Sequence, residues 1–261
     1  LEGIRVVDMS QVFFGPGTAM YLAEHGAEVI KVEPLHGDAM RHQHTSPYLA
    51  ERGFSKPFLA LNRCKRGIAL DLRRPEGQEI VHRLVGWADV FILNMRPGSE
   101  ERVRMDYDTL NYLSPRLIYA SISAFGREGP DASLPGYDIV LQSRSGILST
   151  NRHPDGTPVP YAVMVSDMSG CIALSYAIML ALWEREKTGA GQRIDTSLLN
   201  QALAMQMQQL VWVEGDDSAL PGARPTAMAS TYRCEDDQWL TIVVVEDHQW
   251  KSLCRVLDLE H

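Results

Sequence analysis

The sequence predicts a doubly wound α/β domain followed by the start of a smaller α+β domain. Three observations carry this. Short, β-rich apolar runs recur through the first half of the chain with helix-length stretches between them. The first two runs, Ile4 to Asp8 and Glu28 to Val32, flank a loop and a helix. That is a βαβ unit, which implies parallel pairing and a right-handed crossover. The second half then changes to long apolar helices, a hairpin and a short helix.

In chain order, Ile4 to Asp8 (IRVVD) reads as a buried strand. A loop carrying Gly15-Pro16-Gly17 follows, then a helix from Thr18 to His25, stopped by Gly26. After the strand Glu28 to Val32, Gly67 to Leu72 is expected to be a strand and Pro75 to Trp87 a helix. Ile80, Leu84 and Val85 have helical spacing, and proline suits a first helical turn. Asp89 to Leu93 is a strand, Ser99 to Tyr112 a helix, Leu117 to Ser123 a strand, and Tyr137 begins another helix. Met168 to Lys187 and Ser197 to Val213 read as long apolar helices separated by Gly189-Ala190-Gly191. A loop rich in Gly, Pro and Asp spans Gly215 to Pro225. Thr231 to Cys234 and Trp239 to Val245 form a hairpin through Asp236-Asp237, and His248 to Leu257 is a short helix. The expected division is residues 1–214 as the large domain and 215–261 as a linker and the beginning of the small one.

Of 261 residues, 45% are hydrophobic and 22% charged, which suits a packed globular chain. The 33 acidic residues outnumber the 25 basic ones, giving a net charge of −8. That balance argues against a nucleic-acid binder and against a membrane-surface protein. The four cysteines form no C-x-x-C pair and are too scattered for a disulfide scaffold, so a reducing cytoplasm is expected. The longest apolar stretch, Met168 to Trp183, falls short of a membrane span. No signal peptide is read, and the start at Leu1 suggests that a few residues precede it. His25, His36, His42, His44, His82, His153 and His248 lack metal-ligand spacing, so no metal is assigned.

Asp167, in Val165-Ser166-Asp167-Met168-Ser169-Gly170, stands at the mouth of an apolar helix. It reads as an N-cap, or as a carboxylate kept ionised by the helix N-terminus and able to act as a covalent nucleophile. The Ile4-to-Gly26 segment invites a dinucleotide reading, with Glu33 as the ribose-binding acid. The G-x-G-x-x-G fingerprint is absent and the loop is too long for it. No G-x-S-x-G is present either, which leaves a serine hydrolase unsupported. Arginines cluster beside strand ends at Arg63 and Arg66, at Arg73 and Arg74, and at Arg96, Arg102 and Arg104, where they can hold a phosphorylated small molecule or simply face solvent. Asn94-Met95-Arg96-Pro97-Gly98 follows a strand directly, where open α/β sheets bind ligands.

These segments together resemble the class III CoA-transferases, which include formyl-CoA transferase, carnitine CoA-transferase and the bile-acid-inducible acyl-CoA transferases. The resemblance rests on ordered stretches: Gly3 to Asp8 with Gly15-Pro16, Gly26 to Pro34, Asn62-Arg63 with Lys65-Arg66 and Ala69 to Leu72, Asn94 to Gly98, Pro135 to Asp138, and Glu184 to Gly189 with Gly191-Gln192. It implies a Rossmann-like large domain, an interlaced homodimer, and CoA transfer from an acyl-CoA to a carboxylic acid. Coenzyme A is then a substrate, and no cofactor is permanently bound. Asp167 falls on the family's catalytic aspartate. CoA-binding positions are Phe13, Leu70, Asp71, Arg73, Asn94, Met95, Arg96, Arg102, Gly136 and Tyr137. Phe13 and Phe14 replace more polar residues of formyl-CoA transferase, Gln11 replaces a histidine, and Pro34 replaces a CoA-contacting arginine. Phe13, Phe14 and Met168 are expected to keep water from the intermediates. Residues 215–231 lack that enzyme's glycine run, so oxalate and formyl-CoA are not indicated. The α-methylacyl-CoA racemases share the fold but carry Gly-His-Asp where this chain has Gly136-Tyr137-Asp138. A phenol's reference pKa near 10 makes it a poor proton-exchange partner. Racemase, or an inactive CoA-binding fragment, remains the alternative.

Overall fold

The structure, a computed structural model, describes residues 1–43, 46–153, 155–215 and 228–259. His44, nearly all of the 215–225 loop, most of the segment compared with the glycine run, and the terminal Glu260-His261 lie outside them. The chain forms two compact units, Leu1–Leu210 and Val211–His261.

In the first unit, β1 (Arg5–Asp8), β2 (Glu28–Glu33), β3 (Lys65–Ala69), β4 (Val90–Leu93), β5 (Ile118–Ser123) and β6 (Gln192–Ser197) form one sheet in the order β3-β2-β1-β4-β5-β6. Every pairing in it is parallel. The helices are α1 (Phe14–Glu24), α2 (Pro47–Ala50), α3 (Lys56–Asn62), α4 (Pro75–Trp87), α5 (Tyr107–Leu113), α6 (Asp138–Arg144), α7 (Val165–Thr188) and α8 (Leu198–Ala204). Alternate strand residues feed two cores. Val6, Val90, Ile92, Ile118 and Ala120 pack with Leu22, Leu174 and Ile178. Val7, Phe91, Leu93 and Tyr119 pack with Val81, Val85 and Leu110. Because both faces are covered, β4 and β5 are buried at every position, as in other parallel sheets.

Several expected boundaries move, each for a physical reason. Helix α1 starts at Phe14, not Thr18, and absorbs Gly15-Pro16-Gly17. Pro16 is the third helical residue, where an N–H would have no intrahelical partner. Gly17 is needed because a Cβ there would come within 2.4 Å of Cys171 Sγ on α7. The stretch Ser99 to Tyr112 is not one helix. Arg104 adopts a left-handed conformation, and Asp106 caps α5 by accepting the Thr109 N–H at 3.0 Å. Strand β3 begins at Lys65, two residues before the expected Gly67. The polar edge strand β6 was not anticipated; it fills the gap between the two expected helices, from Gln192 to the Ser197 at which the second was expected to begin. The helix expected over Ser197 to Val213 ends at Ala204, as α8. Met205, Met207 and Leu210 beyond it are exposed, and a helix without a packing surface is marginal. Helix α7 runs from Val165 to Thr188, longer than the apolar run suggested. By length and composition it could cross a membrane, and half of its apolar window is buried inside the protein.

The second unit holds the antiparallel hairpin β7 (Ala229–Arg233) and β8 (Trp239–Val243), turned through a left-handed Asp237. Helix α9 (Asp247–Val256) follows, opened by a reciprocal capping box between Glu246 and Gln249.

Candidate active site

The chain winds from β1 toward β3 on one side and from β4 toward β6 on the other, so the crevice between β1 and β4 is the topological switch point. Two cavities open there. One, of about 480 Å³, lies beyond the carboxyl ends of β1, β4 and β5 and holds Phe13, Phe14, Arg96, Tyr137 and Asp167 on its walls. The other, of about 390 Å³, lies beyond β1, β2 and β3 and includes Pro34, Leu70, Asp71 and Arg73. Met9, Gln11 and Met95 border both. Of the residues expected from sequence, Phe13, Asn94, Met95, Arg96, Gly136, Tyr137 and Asp167 meet at the first cavity, and Leu70, Asp71, Arg73 and again Met95 at the second. Arg102 and Met168 line neither.

Asp167 is only 8% exposed and is the third residue of α7, not its N-cap, which is Met164. Two N–H groups in the first turn of α7, those of Ser166 and Asp167, both donate to Asp138 Oδ2, at 2.7 and 3.1 Å. The other oxygen of Asp138 accepts from Gln142. Asp138 therefore caps α7 from a different helix. This overturns the expectation that α7's N-terminus keeps Asp167 ionised. Burial and the neighbouring Asp138 charge push the Asp167 carboxyl up to about 7, against a bond from the Phe14 N–H that favours ionisation. The N-terminus beside Asp167 on the cavity wall is thus that of α1, through Phe14. Sequence reasoning missed this because it placed Phe14 in a loop.

Helices α1 and α7 meet closely at this point. A Cβ on Gly170 would come within 2.3 Å of the Phe14 ring. One turn below Asp167, the Cys171 thiol donates to the Phe14 carbonyl at 3.2 Å, and burial pushes its pKa up to about 12. The Asn94 side chain reaches across the switch point, accepting the Gln11 N–H at 2.9 Å and donating to the Gln11 carbonyl at 2.6 Å. Its amide is thus engaged with the β1–α1 turn.

In the second cavity, Arg73 grips Asp71 through two guanidinium bonds at 2.8 and 3.0 Å. Those bonds, with the Arg73 N–H, hold the Asp71 carboxyl down at about 2. Arg96 and Arg102 have no carboxylate partner among the described residues. Glu33, which a dinucleotide reading would give to a ribose, instead pairs with Arg41 at 2.7 Å and accepts the Asp38 N–H at 2.8 Å.

Beneath the β1–α1 turn lies a charge cluster that sequence reading did not single out. Lys31 pairs with Asp38 at 3.0 Å, and Lys65 with Asp8 at 2.8 Å; all four side chains are almost fully buried. Burial alone would raise the Asp8 carboxyl, but Lys65 and Lys31 bring it below its ordinary range. The lysines come from neighbouring strands: Lys31 is in register with Asp8, while Lys65 begins β3.

The whole chain, residues 1–261, matches the model of CoA-transferase family III. The chain belongs to CoA-transferase family III. It is 35% identical to an acyl-CoA transferase of Fusarium pseudograminearum, over 100% of this chain and 59% of that protein. It is 36% identical to a succinate–glutarate CoA-transferase of Agrobacterium fabrum, over 99% of this chain and 66% of that protein. The crystal structure of a CAIB/BAIF family protein from Brucella suis superposes with a TM-score of 0.86 at 33% identity, covering 99% of this chain and 69% of that one. The chain thus spans about three-fifths to two-thirds of the length of these relatives.

Proposed function

We propose that this chain carries a site for CoA transfer from an acyl-CoA to a carboxylic acid, with Asp167 as the covalent nucleophile. The observation that carries the reading is one buried carboxylate on the wall of the switch-point cavity, facing the free N-terminus of α1. Asp167 attacks the donor thioester carbonyl; the C–S bond breaks, leaving a mixed anhydride and CoA thiolate. The thiolate attacks the aspartyl carbonyl and expels the donor carboxylate, giving an aspartyl-CoA thioester. The acceptor carboxylate attacks that thioester and expels thiolate, and the thiolate takes the acceptor acyl group from the resulting anhydride. Asp167 is regenerated, and the thioester bond is conserved without ATP or a resident cofactor. The α1 amides stabilise the tetrahedral oxyanions. Phe13 and Phe14 supply an apolar wall that limits hydrolysis. The second cavity takes the nucleotide end of CoA, beside Leu70 to Arg73. Arg96, without an acidic partner among the described residues, is placed to meet an anionic group of the substrate.

Proton exchange at an acyl-CoA α-carbon is the second reading, since a carboxyl near 7 suits a general base. It needs an opposing acid, and no histidine lines the first cavity among the described residues. Incubation with a panel of acyl-CoAs, followed by hydroxylamine and peptide mapping, separates the readings. A hydroxamate on Asp167 supports transfer; α-proton exchange without an adduct supports racemisation. Turnover by Asp167→Ala would refute both.

A homodimer is proposed, supported by exposed Ile172, Tyr176, Met179, Leu180 and Trp183 on one helix, and sedimentation tests it; a cytoplasmic location is proposed from the scattered, unpaired cysteines, and fractionation tests it. Residues 215–261 are read as a linker and part of a small domain, supported by the compact hairpin-and-helix unit.

A further inference from the structure

The buried cluster of Asp8, Lys31, Asp38 and Lys65 is expensive to maintain, since desolvating four charges offsets much of their attraction. None of the four lines either cavity. Besides bonds to Met40 and to the Asn62 side chain, the cluster holds one short piece of backbone. Lys31 Nζ donates to the Ser10 carbonyl at 2.8 Å, and Asp8 accepts the Ser10 N–H at 3.0 Å. Asp38 accepts the Val12 N–H at 3.2 and 3.3 Å on its two oxygens. Lys65 donates to the Pro16 carbonyl in the first turn of α1 at 2.7 Å. Val12, between these anchors, has φ of 73°, a left-handed conformation that a β-branched residue adopts only under constraint. Two residues later comes Phe14, which starts α1 and lines the first cavity together with Val12 and Asp167.

We propose that Asp38, backed by Lys31, is a positioning residue: it clamps Val12 in its strained conformation so that the start of α1, with the Phe14 N–H, stays beside Asp167 on the cavity wall. The role rests on the transfer reading above, and a test independent of turnover keeps the two apart. In Asp38→Asn the acceptor remains but the ion pair with Lys31 is lost. Hydrogen exchange of the Phe14 amide then accelerates about tenfold. The kcat falls about 10- to 100-fold while KM for the acyl-CoA stays within about threefold, as expected for a displaced transition-state donor. Adding Val12→Gly to Asp38→Asn restores part of kcat, because glycine takes that conformation without a clamp. If Asp38→Asn does not fold, Lys31→Met/Asp38→Asn removes the pair while leaving the cluster neutral, and the same measurements apply. Unchanged Phe14 exchange in the folded variant overturns the proposal. So does a loss of kcat that tracks lowered Tm and is not recovered by Val12→Gly. If the wild-type protein turns over no acyl-CoA, the transfer reading fails, and the Phe14 exchange measurement still decides the clamp.

Discussion

Replacing Asp167 with asparagine should stabilise the protein, and increasingly so as the pH rises. The carboxyl moves from an ordinary 3.8 in the unfolded chain to about 7 in the fold. That is about three decades of proton affinity, or about 4 kcal/mol at full ionisation. The folded value lies above the unfolded one, so the fold favours the neutral acid. Its contribution is intact below pH 3.8 and is lost as pH rises through about 7. Asparagine is nearly isosteric, carries no charge, and still offers an oxygen to the Phe14 N–H. The difference in unfolding free energy between Asp167→Asn and wild type should grow by about 2–3 kcal/mol between about pH 5 and pH 8.5. Urea denaturation of both proteins at several pH values measures it, and taking the difference cancels the titrating groups that do not interact with Asp167. A difference that stays flat across that range would refute the raised carboxyl. The same variant has no nucleophilic carboxylate and should give no hydroxamate.

Three further outcomes follow from the same geometry. Asp138→Asn keeps an oxygen for α7 but removes the charge beside Asp167, so the midpoint of the pH-dependent difference should move to lower pH; no movement would assign the raised value to burial alone. Gly170→Ala drives a methyl into the Phe14 ring and should cost about 1–3 kcal/mol in urea denaturation. Asn94→Ala strips both partners from the Gln11 backbone and should cost about 1–3 kcal/mol, with slower hydroxamate formation on Asp167 as the accompanying readout.

Strands β1, β2, β4 and β5 were legible because each sends apolar residues into both cores, which leaves few competing assignments. Helix α4 was legible from its spacing and Pro75. Strand β6 was not, because an edge strand of Gln, Arg, Asp, Thr and Ser with one central Ile194 has no such pattern. The extent of α8 was misjudged because an apolar run says nothing about whether a surface exists to receive it. At the site, Asp167 and the Asn94-to-Arg96 loop could be placed from motif and strand position. Asp138 was quoted as part of a motif, yet its capping of a helix 28 residues away is tertiary. The start of α1 was hidden by Gly-Pro-Gly, which reads as a loop until α7 is packed against it. The charge cluster was hidden for a related reason. Lys31 and Lys65 look like ordinary strand lysines until β1, β2 and β3 are laid side by side.

The Cys171 thiol one turn below Asp167 has a bearing on nucleophile selection. In the proposed reaction an activated acyl group sits within a helical turn of two kinds of sulfur, that of the protein and that of coenzyme A. Capture by the protein's sulfur would strand the acyl group as a thioester on the enzyme. Held against the Phe14 carbonyl and protonated far above neutral pH, Cys171 has almost no thiolate with which to compete. Coenzyme A arrives from solvent with its thiol ordinary, or is generated in place as thiolate, and so receives the acyl group by default. In the proposed reaction, the burial that comes with packing α1 against α7 is therefore also what keeps the protein from acylating itself.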